Sequence, residues 1–133
     1  MKKPAVFLDR DGVLNKDKKY VHKISDFEWI DGAQESIKLL NKKGYFVFVV
    51  TNQSGIGRGF YSDEDVLHLH KHINIELSKI NAKIDDFFYS PYHHSDSSGK
   101  FEHLKHLRKP NIGMLEAACK KWPVIKEMSL IIG

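Results

Sequence analysis

Cysteine is almost absent from this 133-residue chain, which contains only Cys119. A single cysteine excludes a disulfide framework within the chain and is typical of a reducing compartment, so we expect a cytoplasmic protein. No apolar run approaches the roughly 18 residues that a membrane-spanning helix requires, and we expect no membrane partner. Met1-Lys-Lys leads directly into a short apolar run, so we expect no signal peptide.

Internal repeats, low-complexity tracts and linker-like shifts in composition are also missing, which predicts a single domain over residues 1–133. Hydrophobic residues make up 41% of the chain, enough for a core, and the 11% aromatic content argues against disorder. Lys and Arg exceed Asp and Glu, and the formal net charge is +4. This modest excess fits an anionic substrate, although it is also common in proteins that bind nothing charged.

Short apolar runs alternate with helical patterns along the chain. The runs predict four strands, at Ala5–Leu8, Tyr45–Val50, Ile84–Tyr89 and Met128–Ile132. The helical patterns run from Ala33 to a stop near Gly44, from an N-cap at Ser62 along the apolar stripe Val66, Leu69, Ile73, Leu77 and Ile80, and from Gly113 to Trp122. This alternation predicts an α/β fold with a doubly wound parallel sheet, covered by helices on both faces.

Two carboxylates follow the first predicted strand, in the sequence Asp9-Arg-Asp11-Gly12. Ligands of such sheets bind beyond the carboxyl ends of the strands. Two acids one residue apart can divide the tasks of nucleophile and proton shuttle between them. The alternative is a solvated turn, but a position directly after a buried strand favours a catalytic pair.

Two further segments are expected at the same edge of the sheet. Thr51–Gly59 begins with a hydroxyl and continues with three alternate glycines, whose backbone N–H groups can bind a phosphate, while Arg58 offers a bidentate donor. Arg108-Lys109-Pro110 places two cations before the last helix. Alone, these would be a flexible loop and a surface charge pair; together with the two acids they predict a phosphate site.

In this order, the three segments resemble the haloacid dehalogenase-like phosphohydrolases, which have a Rossmann-like sheet. Within that class, the string Thr-Asn-Gln-Ser-Gly-Ile-x-Arg-Gly favours the heptose-bisphosphate phosphatases, a subgroup related to the histidinol-phosphate phosphatases. The matching stretches extend over nearly the whole chain: Phe7–Asn15, Gly32–Leu40, Gly44–Gly59 and Arg108–Met114.

The resemblance implies a role for each residue of the site. Asp9 would attack phosphorus to form an aspartyl-phosphate, and Asp11 would protonate the leaving oxygen and then activate water. Mg²⁺ would bind the carboxylate of Asp9 and the main-chain carbonyl of Asp11 and neutralise charge. The segment Asn15–Trp29, rich in lysine, would be a mobile flap. Contacts to phosphate and substrate would come from Thr51, Asn52, Gln53, Ser54, Arg58, Arg108 and Lys109.

The zinc loop common in this class is not matched, because Lys105-His-Leu107 replaces its cysteine pair and the earlier stretch reads Ser90-Pro-Tyr-His-His94. We therefore expect no zinc. A histidine-only site remains an alternative, since imidazole suits Zn²⁺; its ligands would come from His93, His94, His103 and His106. His68 and His72 lie one helical turn apart, and we expect them on a solvated face.

A second departure concerns the acidic motif that completes the Mg²⁺ site in this class. It would follow Gly133, so we expect a domain truncated after this residue, lacking its C-terminal strand and helix and a further acidic metal ligand. We expect a monomer, with self-association through an exposed edge strand at Leu130–Ile132 as the alternative.

The expected activity is Mg²⁺-dependent phosphate removal from a sugar bisphosphate, with heptose 1,7-bisphosphate as the implied substrate. The alternatives are a histidinol-phosphate phosphatase, a polynucleotide 3′-phosphatase and a non-catalytic phosphate-binding domain. Nucleic acid is not favoured as a partner, because no stacking aromatic residue is clearly interleaved with a basic groove.

Overall fold

The structure, a computed structural model, describes residues 1–93, 99–109 and 112–133. The strands are β1 (Ala5–Leu8), β2 (Phe46–Asn52), β3 (Asp86–Ser90) and β4 (Leu130–Ile132), and the helices are α1 (Ala33–Lys42), α2 (Asp63–Ser78) and α3 (Gly113–Lys121).

All four strands pair in parallel, in the order β3-β2-β1-β4. Leu8 at the end of β1 is level with Val49 on one side and Ile132 on the other. The carboxyl ends of the strands therefore lie along one edge, which confirms the predicted parallel sheet and brings the segments after β1 and β2 together.

Side chains alternate between the two faces of the sheet, and each face has its own core. Val6, Leu8, Val47 and Val49 pack with residues of α1 and α2, while Phe7, Phe46, Phe48 and Val50 pack with Met114 and Ala118 of α3. The predicted covering on both faces is confirmed. It also explains why β1 and β2 are uninterrupted apolar runs.

Two strands, β3 and β4, begin two residues later than their apolar runs predict, because side chains bond to main-chain groups that the sheet would otherwise use. Asn74 on α2 donates to the carbonyl oxygen of Ile84 and accepts from its N–H, at 2.9 and 2.8 Å, and β3 starts two residues later at Asp86. The hydroxyl of Ser129 accepts from the N–H of Ala5 at 2.9 Å, and β4 starts at the next residue.

Helix α2 begins with a reciprocal cap. The N–H of Asp65 donates to the hydroxyl of Ser62, and the N–H of Ser62 donates to the carboxylate of Asp65. His68 is exposed and His72 half-buried on this helix, as expected for its solvated face. His70, between them, is buried and becomes important for the site.

The outer edge of β4 carries three exposed apolar side chains, Leu130, Ile131 and Ile132, which are 47–67% exposed. The monomer stays a prediction, with self-association through this edge as its alternative. In the part of the chain that the structure describes, no helix is both long and apolar enough to cross a bilayer.

Candidate active site

A cleft of about 520 Å³ opens at the carboxyl edge of the sheet. It lies between the ends of β1 and β2, the segment before α3, and the flap, whose base is closed by an antiparallel bridge between Asn15 and Trp29. Its lining is polar, and half of the residues are charged: Asp9, Asp11, Asp17, Lys19, Tyr20, Asn52, Gln53, Ser54, Tyr61 and Lys109.

Asp9 and Lys109 form an ion pair in this cleft. The Nζ of Lys109 lies 3.2 Å from the Oδ1 of Asp9, which also accepts from the N–H of Arg10 at 2.8 Å. The same Nζ donates to the carbonyl oxygen of Val50 at 3.1 Å. The lysine therefore links the ends of β1 and β2, and its charge lies beside the predicted nucleophile.

Asn52 holds the main chain of Lys109 in place. Its Oδ1 accepts from the N–H of Lys109 at 2.9 Å, and its Nδ2 donates to the carbonyl oxygen at 3.4 Å. Asn52 is predicted to contact substrate, but its amide is committed to Lys109 here. Its geometry positions the lysine, and a direct contact with substrate stays a prediction.

Asp11 receives donors on both carboxylate oxygens. Oδ1 accepts from the Nη2 of Arg10 at 3.0 Å and from the Nδ2 of Asn15 at 3.1 Å. Oδ2 accepts from the Nε2 of Gln53 at 3.2 Å. Such fixed donors orient a carboxylate, as a residue that transfers a proton in a defined direction requires.

Gln53 connects Asp11 to two other residues. Its Nε2 also donates to the Oγ1 of Thr51 at 2.9 Å, and its Oε1 accepts from the hydroxyl of Tyr61 at 2.7 Å. Burial raises the pKa of Tyr61 to about 12, so this hydroxyl remains a donor at neutral pH. A Cβ at Gly55 would lie 2.1 Å from the Tyr61 ring, so only glycine lets the ring approach here.

Arg10 lies fully buried beneath the cleft. Its Nη2 donates to the carbonyl oxygen of Val21 as well as to Asp11, and its Nη1 lies 3.3 Å from the Nε2 of His70. Burial, with a further contribution from the Arg10 charge, lowers the pKa of His70 to about 3. His70 is therefore neutral at physiological pH and can accept from the guanidinium.

The flap is held by side chains on the far side of the cleft. Lys19 and Tyr20 at its tip have φ angles of 62° and 55°, the left-handed region that costs a non-glycine residue about 1–2 kcal/mol. Contacts compensate for this, because the Tyr20 hydroxyl accepts from the Nη1 of Arg58 at 2.7 Å and its ring packs edge-on against Phe60. The flap thus docks on the glycine-rich loop.

Several predicted site residues line the cleft, and others do not. Asp9, Asp11, Asn52, Gln53, Ser54 and Lys109 are brought together as expected. Three others are not among the lining residues: Thr51 is buried behind Gln53, Arg58 binds Tyr20 at the rim, and Arg108 donates to the carbonyl oxygen of Tyr92. Their contacts with phosphate or substrate stay predictions.

The flap lysines also differ in position. Lys19 lines the cleft, whereas Lys16 and Lys18 both pair with Glu28, at 2.6 and 3.1 Å. The two paired amines lower the pKa of Glu28. Of these three lysines, only Lys19 is placed to meet a ligand in the cleft.

For a metal ion, the suitable ligands in the cleft are oxygen atoms. Mg²⁺ is commonly held by one or two carboxylates together with substrate phosphate and water, and the carboxylate of Asp9 with the main-chain carbonyl of Asp11 would supply oxygen donors of this kind. Among the described residues, no group of three or more His, Cys, Asp or Glu side chains is placed to bind a metal. His94, a ligand of the alternative zinc site, lies outside the described residues.

Several residues that line the cleft or orient its side chains were missed by the sequence reasoning: Arg10, Asn15, Asp17, Tyr20, Tyr61 and His70. Arg10 stands between the two acids, a position that could have indicated a role in holding one of them. Tyr61 directly precedes the N-cap of α2, where the sequence offers no sign that its hydroxyl turns back toward Asp11. His70 resembles any histidine on an apolar helix face.

The parallel α/β sheet, the acid pair after β1, the Thr-led glycine-rich loop after β2 and the lysine that returns to Asp9 are together the arrangement of haloacid dehalogenase-like phosphatases. The family model for polynucleotide kinase 3 phosphatase matches residues 5–131. The chain belongs to this family of haloacid dehalogenase-like phosphatases.

Curated relatives carry a more specific name. The D-glycero-β-D-manno-heptose-1,7-bisphosphate 7-phosphatase of Rhodopseudomonas palustris is 40% identical over 132 residues, which are 99% of this chain and 73% of that protein. A Campylobacter jejuni relative, named as the 7-phosphatase of the α anomer, is 41% identical over 135 residues, 100% of this chain and 72% of that protein.

Among solved structures, the D,D-heptose 1,7-bisphosphate phosphatase of B. bronchiseptica, complexed with magnesium and phosphate, superimposes with a TM-score of 0.76 and 26% identity. The match covers 90% of this chain and 64% of that one. This chain therefore spans slightly less than two thirds of that relative's length.

Proposed function

We propose that this chain is a phosphoric monoester hydrolase acting on a sugar bisphosphate of the heptose 1,7-bisphosphate type. The observation that carries the proposal is the pairing of Lys109 with Asp9 at 3.2 Å, with Asp11 in the same cleft. A nucleophile, a cation and a proton-transfer group in one cleft are what phosphoryl transfer requires. The names of the curated relatives support the sugar substrate.

The roles follow from the contacts. The carboxylate of Asp9 attacks phosphorus to form an aspartyl-phosphate, and Asp11 gives its proton to the leaving sugar oxygen as the P–O bond breaks. Asp11, now a carboxylate, takes a proton from the water that hydrolyses the aspartyl-phosphate. Lys109 stabilises the negative charge on the phosphoryl oxygens, in a position that Asn52 fixes.

Asp9 and Asp11 would hold Mg²⁺, as their oxygen donors allow and as the magnesium-bound relative suggests. When bound, Mg²⁺ neutralises negative charge on the phosphoryl group. The further acidic ligand after Gly133 and the absence of zinc both stay predictions, as does the cytoplasmic location.

The cleft beside the phosphate region is lined by groups that suit a polar, anionic substrate. Lys19 and Tyr20 approach from the flap, and Ser54 from the glycine-rich loop. A hydroxyl-rich sugar with a second phosphate would meet hydrogen-bonding groups on each side and a cation on the flap. The relatives' names divide between the α and β anomers, so the anomer is not assigned.

A polynucleotide 3′-phosphatase is the second candidate, and the matching family model specifically favours it. Against it stands the packing of the two aromatic residues in the cleft lining. The ring of Tyr61 is stacked on His22 and its hydroxyl is bonded to Gln53, while the ring of Tyr20 packs edge-on against Phe60. A splayed base needs an open aromatic face.

Phosphate release from heptose 1,7-bisphosphate, histidinol phosphate and a 3′-phosphorylated oligonucleotide, each with and without Mg²⁺, tests the proposal. We expect the bisphosphate to be preferred and Asp9→Asn to abolish release, while Asp31→Asn at an exposed acid leaves it unchanged. Preference for the oligonucleotide would establish the second candidate. Release that survives Asp9→Asn would refute the enzymatic mechanism, and no release by any form would favour a phosphate-binding domain.

A further inference from the structure

Two chains of contacts connect the flap to Asp11, one ending at each carboxylate oxygen. In the first, the carbonyl oxygen of Val21 accepts from the Nη2 of Arg10, which also donates to Oδ1 of Asp11. In the second, the ring of His22 stacks on Tyr61 with a centroid distance of 4.5 Å. Adjacent flap residues thus contact both groups of side chains that orient Asp11.

The second chain passes through an amide whose orientation is fixed. Because the Oε1 of Gln53 accepts from the Tyr61 hydroxyl, its NH₂ group must face Thr51 and Asp11. Gln53 is 2% exposed, so water does not compete effectively for these bonds. Without the tyrosine hydroxyl, the amide would be held only by its donor bonds to Thr51 and to Asp11 itself.

The two oxygens of Asp11 are unequal. Oδ1 accepts from two donors, Arg10 and Asn15, whereas the only described donor to Oδ2 is Gln53 at 3.2 Å. A proton on Oδ1 would meet two N–H groups, so the proton of the acid form belongs on Oδ2. The Gln53 bond then sets the direction in which Oδ2 presents its proton.

We propose that Tyr61 is a positioning residue for proton transfer, holding Asp11 through Gln53 when His22 of the flap is stacked on its ring. This rests on the proposed function. In the step concerned, an oxygen of Asp9 bonds to phosphorus, the bond from phosphorus to the leaving oxygen breaks, and the Oδ2 proton of Asp11 moves to that oxygen. Asp11 is left as a carboxylate facing Arg10 and Asn15.

Tyr61→Phe tests this, because it removes the hydroxyl and keeps the stacked ring. Misdirected protonation slows the departure of a poor leaving group, such as a sugar alkoxide, much more than that of nitrophenolate, which leaves without a proton. General acid catalysis contributes about 10²–10⁴-fold, so we expect kcat/KM for the sugar phosphate to fall about tenfold or more. For 4-nitrophenyl phosphate the loss should be much smaller. The ratio kcat/KM is used because it reports the phosphoryl-transfer step.

Tyr89→Phe is the matched control. The hydroxyl that it removes donates to Asp63 at 2.6 Å and, among the described contacts, to no residue that bonds Asp11. The ring, which packs in the cluster of Tyr61 and lies edge-on to His70, is kept. We expect the control to keep the wild-type ratio between the two substrates. If Tyr61→Phe keeps that ratio as well, or loses activity equally on both substrates, the positioning role is wrong.

Gln53→Met removes the next residue in the series of contacts from Tyr61 to Asp11. It tests the proposal if thermal unfolding shows that Tyr61→Phe does not fold. It should show the same selective loss on the sugar phosphate, and an equal loss on both substrates would overturn the inference. Failure of the proposed function looks different, since the wild-type chain would then release phosphate from neither substrate.

Discussion

Asn52 bonds to both main-chain polar groups of Lys109, through its Oδ1 at 2.9 Å and its Nδ2 at 3.4 Å. Asn41 does the same to Lys83, at 2.9 and 3.1 Å, far from the cleft. The fold thus contains one reciprocal asparagine contact at the candidate site and a second one that lies outside the site and joins two main-chain segments. Substituting Asn52 and Asn41 in turn therefore separates the effect of losing such a contact on stability from its effect on activity.

Asn52→Leu and Asn41→Leu should therefore destabilise the protein to a similar extent, by about 1–2 kcal/mol for two lost hydrogen bonds. Only Asn52→Leu should reduce kcat strongly, by about 100-fold, because a displaced lysine no longer meets the phosphoryl group. Urea unfolding and steady-state kinetics on both variants measure the two effects. Equal kinetic losses would mean that the asparagine acts through stability alone.

Lys109→Met should reduce kcat by about 10²–10³-fold, the usual effect of removing one donor that stabilises transition-state charge. Methionine is similar in length to the aliphatic part of the lysine side chain, so the packing of that part changes little. Lys105→Met, which removes a cation outside the cleft lining, is the control and should leave kcat within a factor of two. A Lys109→Met enzyme with normal kcat would exclude an electrostatic role for this amine.

His70 should make the stability of the protein depend on pH. Burial lowers its folded-state pKa to about 3, so between pH 3 and the unfolded value near 6.5 the unfolded chain binds more protons. Stability therefore rises with pH across this window and is lost as the pH falls. Between pH 7.5 and 5, the free energy of unfolding of His70→Gln should fall by about 1–2 kcal/mol less than that of the wild type, as measured by urea unfolding. Identical pH dependence in the two proteins would contradict the shifted pKa.

The cap of α2 should have a measurable effect on stability. Ser62→Ala leaves the N–H of Asp65 without its hydroxyl acceptor, and we expect a loss of about 1 kcal/mol in the free energy of unfolding. Ser78→Ala, at the exposed other end of the helix, should change it by less than about 0.5 kcal/mol. If the two variants are equally stable, the cap contributes nothing beyond helix propensity.

The parallel sheet and the location of the site could be predicted because both depend on regular patterns. The runs that form β1 and β2 are apolar on both faces, which favours central parallel strands, and the polar segments after them must then meet at one edge. Asp9, Asp11 and Lys109 were found in this way. Their residue types also restrict the chemistry, because an acid pair and a lysine beside a glycine-rich loop suit phosphoryl transfer.

The side chains that orient these groups could not be predicted, since their contacts cross long stretches of sequence. Arg10 reaches Val21 and His70, and Tyr61 reaches Gln53, through bonds that exist only after the flap and α2 have packed. The predicted starts of β3 and β4 were wrong for a related reason. The side chains of Asn74 and Ser129 form hydrogen bonds with main-chain groups that the apolar pattern assigns to the sheet.

Lys109 has a consequence for the height of the catalytic barrier. Its amine is held at 3.2 Å from Asp9 and 3.1 Å from the carbonyl oxygen of Val50. In bulk water, solvent dipoles must turn as charge spreads over a phosphoryl group, and that rearrangement is part of the activation energy. The charge of Lys109 is already fixed between two strand ends and needs little reorientation during the reaction. The folding of the chain therefore supplies this reorganisation before the substrate binds.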